Sequence, residues 1–218
     1  PPRSTLFPYT TLFRSINSNA TPPIDSDPEF LINANGVVYF TAYDGSSHNS
    51  RIGKTGRELW KSQGTEATTL LAADINKKSQ DAFTNNMANL NKWMTHIGTT
   101  LYFVAKEQDE NRIWKTTGTD AGTSKTTPTY TSYNQIQGTS TTLFFTRDDG
   151  TIGNDALYRD NNTNAGEALE DQTNTKIRAT SLYAAGANLY FKRADDIDRL
   201  WVTDGTKANT NQIGRAHV

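Results

Sequence analysis

Short apolar runs alternate along the chain with polar turns rich in Gly, Asn and Thr, and one pair of runs returns four times. The first run is aromatic. It reads Val37–Ala42 (VVYFTA), Leu101–Ala105 (LYFVA), Leu143–Thr146 (LFFT) and Leu189–Lys192 (LYFK). Neighbouring side chains on a strand point to opposite faces, so apolar neighbours such as Tyr39-Phe40 predict strands covered on both faces. The second run carries a Trp or Tyr: Glu58–Ser62, Arg112–Thr116, Ala156–Arg159 and Arg199–Thr203. A turn follows each time, as Gln63-Gly64-Thr65, Thr117-Gly118-Thr119, Asn161-Asn162-Thr163 and Asp204-Gly205-Thr206. Asp-Gly and its relatives supply the positive φ of a tight hairpin, and the Thr after them is expected to open the next strand.

Two weaker strands complete the unit. One precedes the aromatic run, at Phe30–Ile32, Trp93–Ile97, Tyr133–Ile136 and Thr180–Tyr183; the other follows the turn, best seen in Thr69–Ala73. No segment has a convincing helical period. The second-run aromatics stand at Trp60, Trp114, Tyr158 and Trp201, in steps of 54, 44 and 43 residues. A period in the forties built from short strands predicts an all-β fold of the propeller type. We expect about four blades of three to four antiparallel strands each, over residues 28–75, 90–128, 132–173 and 177–212, the last lacking its final strand. The repeat aromatics Phe40, Phe103, Phe145 and Phe191, with Trp60, Trp114, Tyr158 and Trp201, are expected to be structural. Trp60, Trp114 and Trp201 should each be buried between neighbouring sheets. Trp93 stands outside the pattern and fits either core or surface. Phe40 and Trp60 are 20 positions apart where Phe191 and Trp201 are 10 apart, so the loop Asp44–Thr55 is expected to protrude.

The two ends read differently. Residues 1–15 (PPRSTLFPYTTLFRS) match, codon for codon, one frame of a common sequencing adapter, and residues 213–218 (IGRAHV) match the start of the opposite adapter. The natural insert is therefore expected to be Ile16–Gln212, cut from inside a longer repeat array whose remaining blades are its first partners. Leu6, Phe7, Leu12 and Phe13 are then no membrane anchor or targeting signal.

Composition narrows the function. The formal net charge is −1, so no global field draws the chain to nucleic acid or to an anionic membrane. No apolar run reaches the length of a membrane span. With no Cys there is no disulfide, thiolate metal site or Cys nucleophile.

The motif Gly56-Arg57-Glu58-Leu59-Trp60-Lys61-Ser62-Gln63-Gly64-Thr65-Glu66-Ala67 resembles the ELWxxDGT repeat of bacterial proteins, with Gln63 in place of the usual Asp. Trp114–Thr123 and Trp201–Thr206 are further copies, and the third is degenerate. Asp74-Ile75-Asn76 is similar to the unit's closing DIN. The resemblance spans nearly all of Ile16–Gln212. It implies a β-propeller on secreted or cell-surface bacterial proteins and assigns no catalytic residue.

Candidate chemistry is sparse. Outside the C-terminal tail the histidines are His48 and His96, far apart and in different repeats, which does not suggest a triad. Asp148, Asp149 and Asp155 form one acidic cluster, and Asp195, Asp196 and Asp198 form another. Clustered carboxylates suit Ca²⁺, but neither has EF-hand spacing, and polar hairpin loops explain both. The expectation is a non-catalytic scaffold with no cofactor, binding a protein or glycan at a propeller face. A glycan-binding or glycan-processing domain is the alternative; an exposed aromatic beside convergent acids in the central funnel would favour it.

Overall fold

The computed structural model describes residues 26–43, 56–77, 81–83, 93–107, 110–126, 133–150, 156–160 and 166–215, with the backbone alone at Ile197, Asp198 and Arg215. Residues 1–15, the loop Asp44–Thr55, His48 and Asp155 lie outside these segments.

The described residues form sixteen strands in four antiparallel sheets of four strands. Sheet 1 holds β1 (Glu29–Ala34), β2 (Val37–Tyr43), β3 (Arg57–Ser62) and β4 (Leu70–Ala73). Sheet 2 holds β5 (Met94–Ile97), β6 (Thr100–Glu107), β7 (Glu110–Thr116) and β8 (Thr123–Lys125). Sheet 3 holds β9 (Tyr133–Gly138), β10 (Leu143–Arg147), β11 (Ala156–Arg159) and β12 (Glu167–Ala168). Sheet 4 holds β13 (Ala179–Ala185), β14 (Asn188–Arg193), β15 (Asp196–Thr203) and β16 (Asn211–Arg215). Within each sheet every strand pairs with its neighbour in sequence. The first strands β1, β5, β9 and β13 also lie next to one another in that order, which gives a propeller-like arrangement about a common centre. Among the described residues no helix is long and apolar enough to cross a membrane.

One register recurs in all four sheets. Phe40 pairs with Trp60, Phe103 with Trp114, Phe145 with Tyr158 and Phe191 with Trp201. In sheets 2, 3 and 4 the aromatic pair faces the preceding sheet. Phe103 and Trp114 share a core with Tyr39 and Leu59 of sheet 1. Phe145 and Tyr158 share one with Val104 and Ile113 of sheet 2, and Phe191 and Trp201 one with Phe144 and Leu157 of sheet 3. In sheets 1, 2 and 3 the residue before each member of the pair points the other way, toward the following sheet. Two adjacent apolar residues per strand thus serve two interfaces. Trp93, half-buried, packs against the first two of these cores.

Two expectations are corrected here. Sheet 4 does not lack its final strand: β16 runs through Asn211–Arg215 and pairs Gln212 with Trp201, Gly214 with Leu200 and Arg215 with Arg199. An edge strand needs little more than free backbone groups, so Ile213-Gly214-Arg215 can fill it while Ile213 stays 50% exposed. The repeat tryptophans are also not equally buried. Trp114 is buried, but Trp60 and Trp201 are only half-buried. Trp60 lies on the face of sheet 1 that looks away from sheet 2, beside its cross-strand partner Phe40, which is buried.

The turn between the third and fourth strands is held by a hydroxyl clasp repeated in sheets 1, 2 and 4. In sheet 2 the Gly118 N–H donates to Thr116 Oγ1 (2.9 Å), which lies 2.7 Å from Thr123 Oγ1, which donates to the Thr119 carbonyl (2.7 Å). Because a carbonyl only accepts, the direction of the chain is fixed: Gly118 to Thr116 to Thr123 to Thr119. Sheet 1 repeats it with Gly64, Ser62, Thr69 and Thr65, and sheet 4 with Gly205, Thr203, Thr210 and Thr206. The three glycines have φ of +90°, +93° and +98°, where a Cβ is strained. The Thr after the Gly therefore does not open a strand. Its carbonyl closes the clasp, and the fourth strand starts four or five residues later. In sheet 4 Asp204 adds its carboxylate to the Thr206 N–H (2.8 Å) and hydroxyl (2.7 Å).

Glu58 has a separate structural duty. It is fully buried and accepts the backbone N–H groups of Ile75 (2.9 Å) and Asn76 (3.4 Å), tying the third strand to the segment leaving the sheet. Burial, with the nearby Asp74 charge, pushes its carboxyl well above the usual range, and the backbone donors oppose this.

Candidate functional site

The first strand of each sheet is hydrogen-bonded on one side only, so its other backbone edge faces the centre. These four edges border an open cavity of about 660 Å³. Ile32 and Asn33 enter from β1, Met94, Thr95 and His96 from β5, Gln137 and Gly138 from β9, and Ala184 from β13. The hairpin turns supply Gly98, Thr139, Ser140 and Gly186.

The walls approach closely because of two small residues. Gly138 donates its N–H to Thr95 Oγ1 (2.8 Å), and a Cβ at 138 would stand 2.9 Å from the His96 carbonyl. Only glycine lets β9 lie this close to β5 without a shift. Ser140 then donates its N–H to the Gly186 carbonyl (2.7 Å), joining the turns of sheets 3 and 4.

The lining mixes polar groups with the apolar side chains of Ile32, Met94 and Ala184 and, His96 apart, carries no ionisable side chain. His96 Nδ1 lies 3.2 Å from the Gly98 carbonyl, which only accepts, so Nδ1 is the donor of that bond. Asn33 Oδ1 accepts the Gly36 N–H (2.9 Å), which leaves the amide nitrogen as donor. Gln137 donates to the Gly138 carbonyl (3.3 Å), which leaves its oxygen as acceptor. The cavity thus offers neutral donors and acceptors together with strand edges, suited to an uncharged, hydrogen-bonding ligand.

The acidic candidates do not converge on this cavity. Asp148 Oδ1 accepts the Gly150 N–H (2.8 Å) in its own turn. Asp149 binds the Lys176 ammonium (3.0 Å) and accepts from Tyr158 Oη (3.3 Å). Asp195 takes a two-pronged bond from Arg193 (2.8 Å each), and Asp196 lies 3.4 Å from Arg199 Nε. Asp155 and the side chain of Asp198 lie outside the described residues. Among the described residues no group of three potential ligands is placed to hold a metal.

Arg193 organises the Asp195 region. Arg193 stacks over Trp201 (4.8 Å to the ring centre) and also binds Asp171 (2.7 Å) from the connection between sheets 3 and 4. Burial alone would raise the Asp171 carboxyl. Hydrogen bonds from Thr173, Arg193 and Thr175 outweigh it and hold the group well below the usual carboxylate range. Arg147 stacks in the same way over Tyr158 at 4.3 Å. Both arginines stand two places after the Phe of their strand, a spacing visible in the sequence and not used in reading it. The cavity residues carried a weaker signal, since they lie on the least patterned strand of each repeat.

No protein-family model and no curated protein matches the chain. Among solved structures it is similar to TolB from Acinetobacter baumannii, with a TM-score of 0.48 and 12% identity over 87% of this chain and 45% of that one. Human WBSCR16 gives a TM-score of 0.46 and 8% identity over 88% of this chain and 54% of that one. The apo isopeptidase AtxE2 gives 0.39 and 13% over 90% and 35%. The chain spans about half the length of these structures or less. Values this low carry no function across.

Proposed function

We propose that the chain is a non-catalytic interaction scaffold, part of a β-propeller of the ELWxxDGT-repeat type on a secreted or cell-surface bacterial protein. Its ligand is an uncharged polypeptide segment, held in extended form in the central cavity. One observation carries the reading: the free backbone edges of four first strands border a single cavity of neutral donors and acceptors. An extended peptide satisfies such edges by main-chain hydrogen bonds, and the side-chain amides and hydroxyls select its sequence. A glycan site would be favoured by an exposed aromatic beside convergent acids; the lining holds neither among the described residues.

The test is calorimetric titration of the full chain with a panel of neutral Ser-, Thr- and Asn-rich octapeptides and with neutral oligosaccharides. A second series uses the cavity-filling variant Ala184→Trp. Peptide binding lost in A184W supports the reading. Oligosaccharide binding lost in A184W, or peptide binding indifferent to it, overturns it.

A further inference from the structure

We propose that Asn35 is a self-modifying site, converted to an acid through attack of the Gly36 backbone nitrogen on its side-chain amide, and that Asn33 is the brake on the reaction.

Asn35-Gly36 is the one Asn-Gly step in the chain. It forms the two-residue turn between β1 and β2, closed by the pairing of Ala34 with Val37. Asn35 has φ of +52° and Gly36 of +83°, the paired positive values of a type I′ hairpin. The corresponding turns of sheets 2 and 4 begin with Gly98 and Gly186, and neither glycine follows an asparagine. Both residues of the sheet 1 turn are exposed, and there is open space where a Cβ on Gly36 would stand. Water therefore reaches the Asn35 amide, and no side chain shields the nitrogen that attacks it.

The reaction needs no partner but water. The Gly36 nitrogen gives up its proton and bonds to Cγ of Asn35. The Cγ–Nδ2 bond breaks, and the amide nitrogen leaves as ammonia, the proton going with it. Water then opens the five-membered imide at one of its two carbonyls. One opening leaves an aspartyl residue. The other leaves an isoaspartyl residue, whose main chain runs through the former side chain. Either product sets a carboxylate two residues from Asn33, beside a cavity whose lining is uncharged apart from His96. The isoaspartyl form also lengthens the turn by one carbon, which the register of Ala34 with Val37 does not accommodate.

The attacking nitrogen is tethered. Its N–H donates to Asn33 Oδ1 (2.9 Å). While that bond holds, the nitrogen keeps its proton and the turn keeps its shape, so the imide does not close. The bond is exposed and opens in competition with water, which makes it a brake and not a lock. Asn174 is an internal reference. It is exposed, has φ of +62°, and the next N–H, that of Thr175, is likewise held, by Asp171 Oδ1 (3.1 Å). Thr175 is β-branched and crowds its own nitrogen, so Asn174 should stay intact.

Incubating the full chain at mildly alkaline pH, with the amide-to-acid mass change located by peptide mass spectrometry, tests this. The parent chain should accumulate conversion at Asn35. Asn33→Ala should convert about two- to tenfold faster, the change expected for one lost hydrogen bond. Asn33→Asp keeps the acceptor oxygen and should stay near the parent rate. Conversion at Asn174 should be low and equal in all three. No conversion at Asn35 in N33A overturns the proposal, as do equal rates in the parent and N33A, or an N33D rate as high as that of N33A. A rise at Asn174 matching that at Asn35 in N33A overturns it too, because general unfolding would then drive the chemistry.

Discussion

Thr116→Val removes one oxygen and almost no volume, and it breaks two links of the clasp at once. The Gly118 N–H loses its acceptor, and Thr123 Oγ1 loses the proton that Thr116 donates. Gly118 is buried against Tyr39, so water cannot restore the first bond. A buried donor left without a partner costs about 1–3 kcal/mol, and the lost hydroxyl pair about 0.5–1.5 kcal/mol more. The expected loss is about 2–4 kcal/mol. Ser62→Ala makes nearly the same chemical change in sheet 1, where Gly64 is exposed and water takes over, so its cost should stay below about 1 kcal/mol. Urea denaturation of both variants, analysed by linear extrapolation, gives the difference directly. Hydrogen exchange should show the Gly118 amide losing protection in T116V. Equal losses in the two variants, or a T116V loss below about 0.5 kcal/mol, would refute the argument that burial makes the clasp matter.

Other outcomes follow from the same contacts. Trp114→Ala should cost about 3–5 kcal/mol and Trp60→Ala clearly less, read from thermal unfolding, because Trp114 is buried and Trp60 only half-buried. Gly138→Val should separate β9 from β5 and lower stability by about 1–3 kcal/mol through overpacking; unchanged unfolding would mean that the close approach is not required. Asp171→Asn should cost about 3 kcal/mol near neutral pH by leaving Arg193 with a single carboxylate. The folded Asp171 carboxyl lies below its unfolded value near 3.9, so its contribution is present above that pH and fades as the pH falls toward the folded value. D171N should accordingly flatten the acid limb of the stability–pH curve.

The pairing of Phe40 with Trp60 and of its three counterparts was legible because it depends on local pattern alone: alternation along a strand, a turn, and alternation back. The clasp was equally present, as a hydroxyl two residues before each glycine and a Thr five residues after it. It passed unread because Thr after Gly also fits a strand start, and only geometry shows its carbonyl closing a ring. Burial was legible on average and wrong in particular. Trp60, Trp114 and Trp201 occupy one repeat position, yet only Trp114 is buried, and no local pattern encodes that difference. The cavity was hidden for a related reason. Asn33, His96, Gln137 and Ala184 are ordinary residues on weak strands, and only the packing of four distant segments brings them together. Glu58 lay in a quoted motif, yet its grip on Ile75 and Asn76 spans a turn and a strand and gives no periodic signal.

The strictly sequential pairing of strands bears on how the chain folds. No strand waits for a partner from a remote segment, so each sheet closes only short loops and has a low contact order. Such a chain behaves as a row of units, each stabilised by itself and by the neighbours it touches. Sheets 2 and 3 have a neighbour on both faces, whereas sheets 1 and 4 have one described neighbour each. Melting should then begin at the ends and move inward. Native-state hydrogen exchange would record this as a graded release of amides, sheets 1 and 4 opening at lower free energy than the two between them.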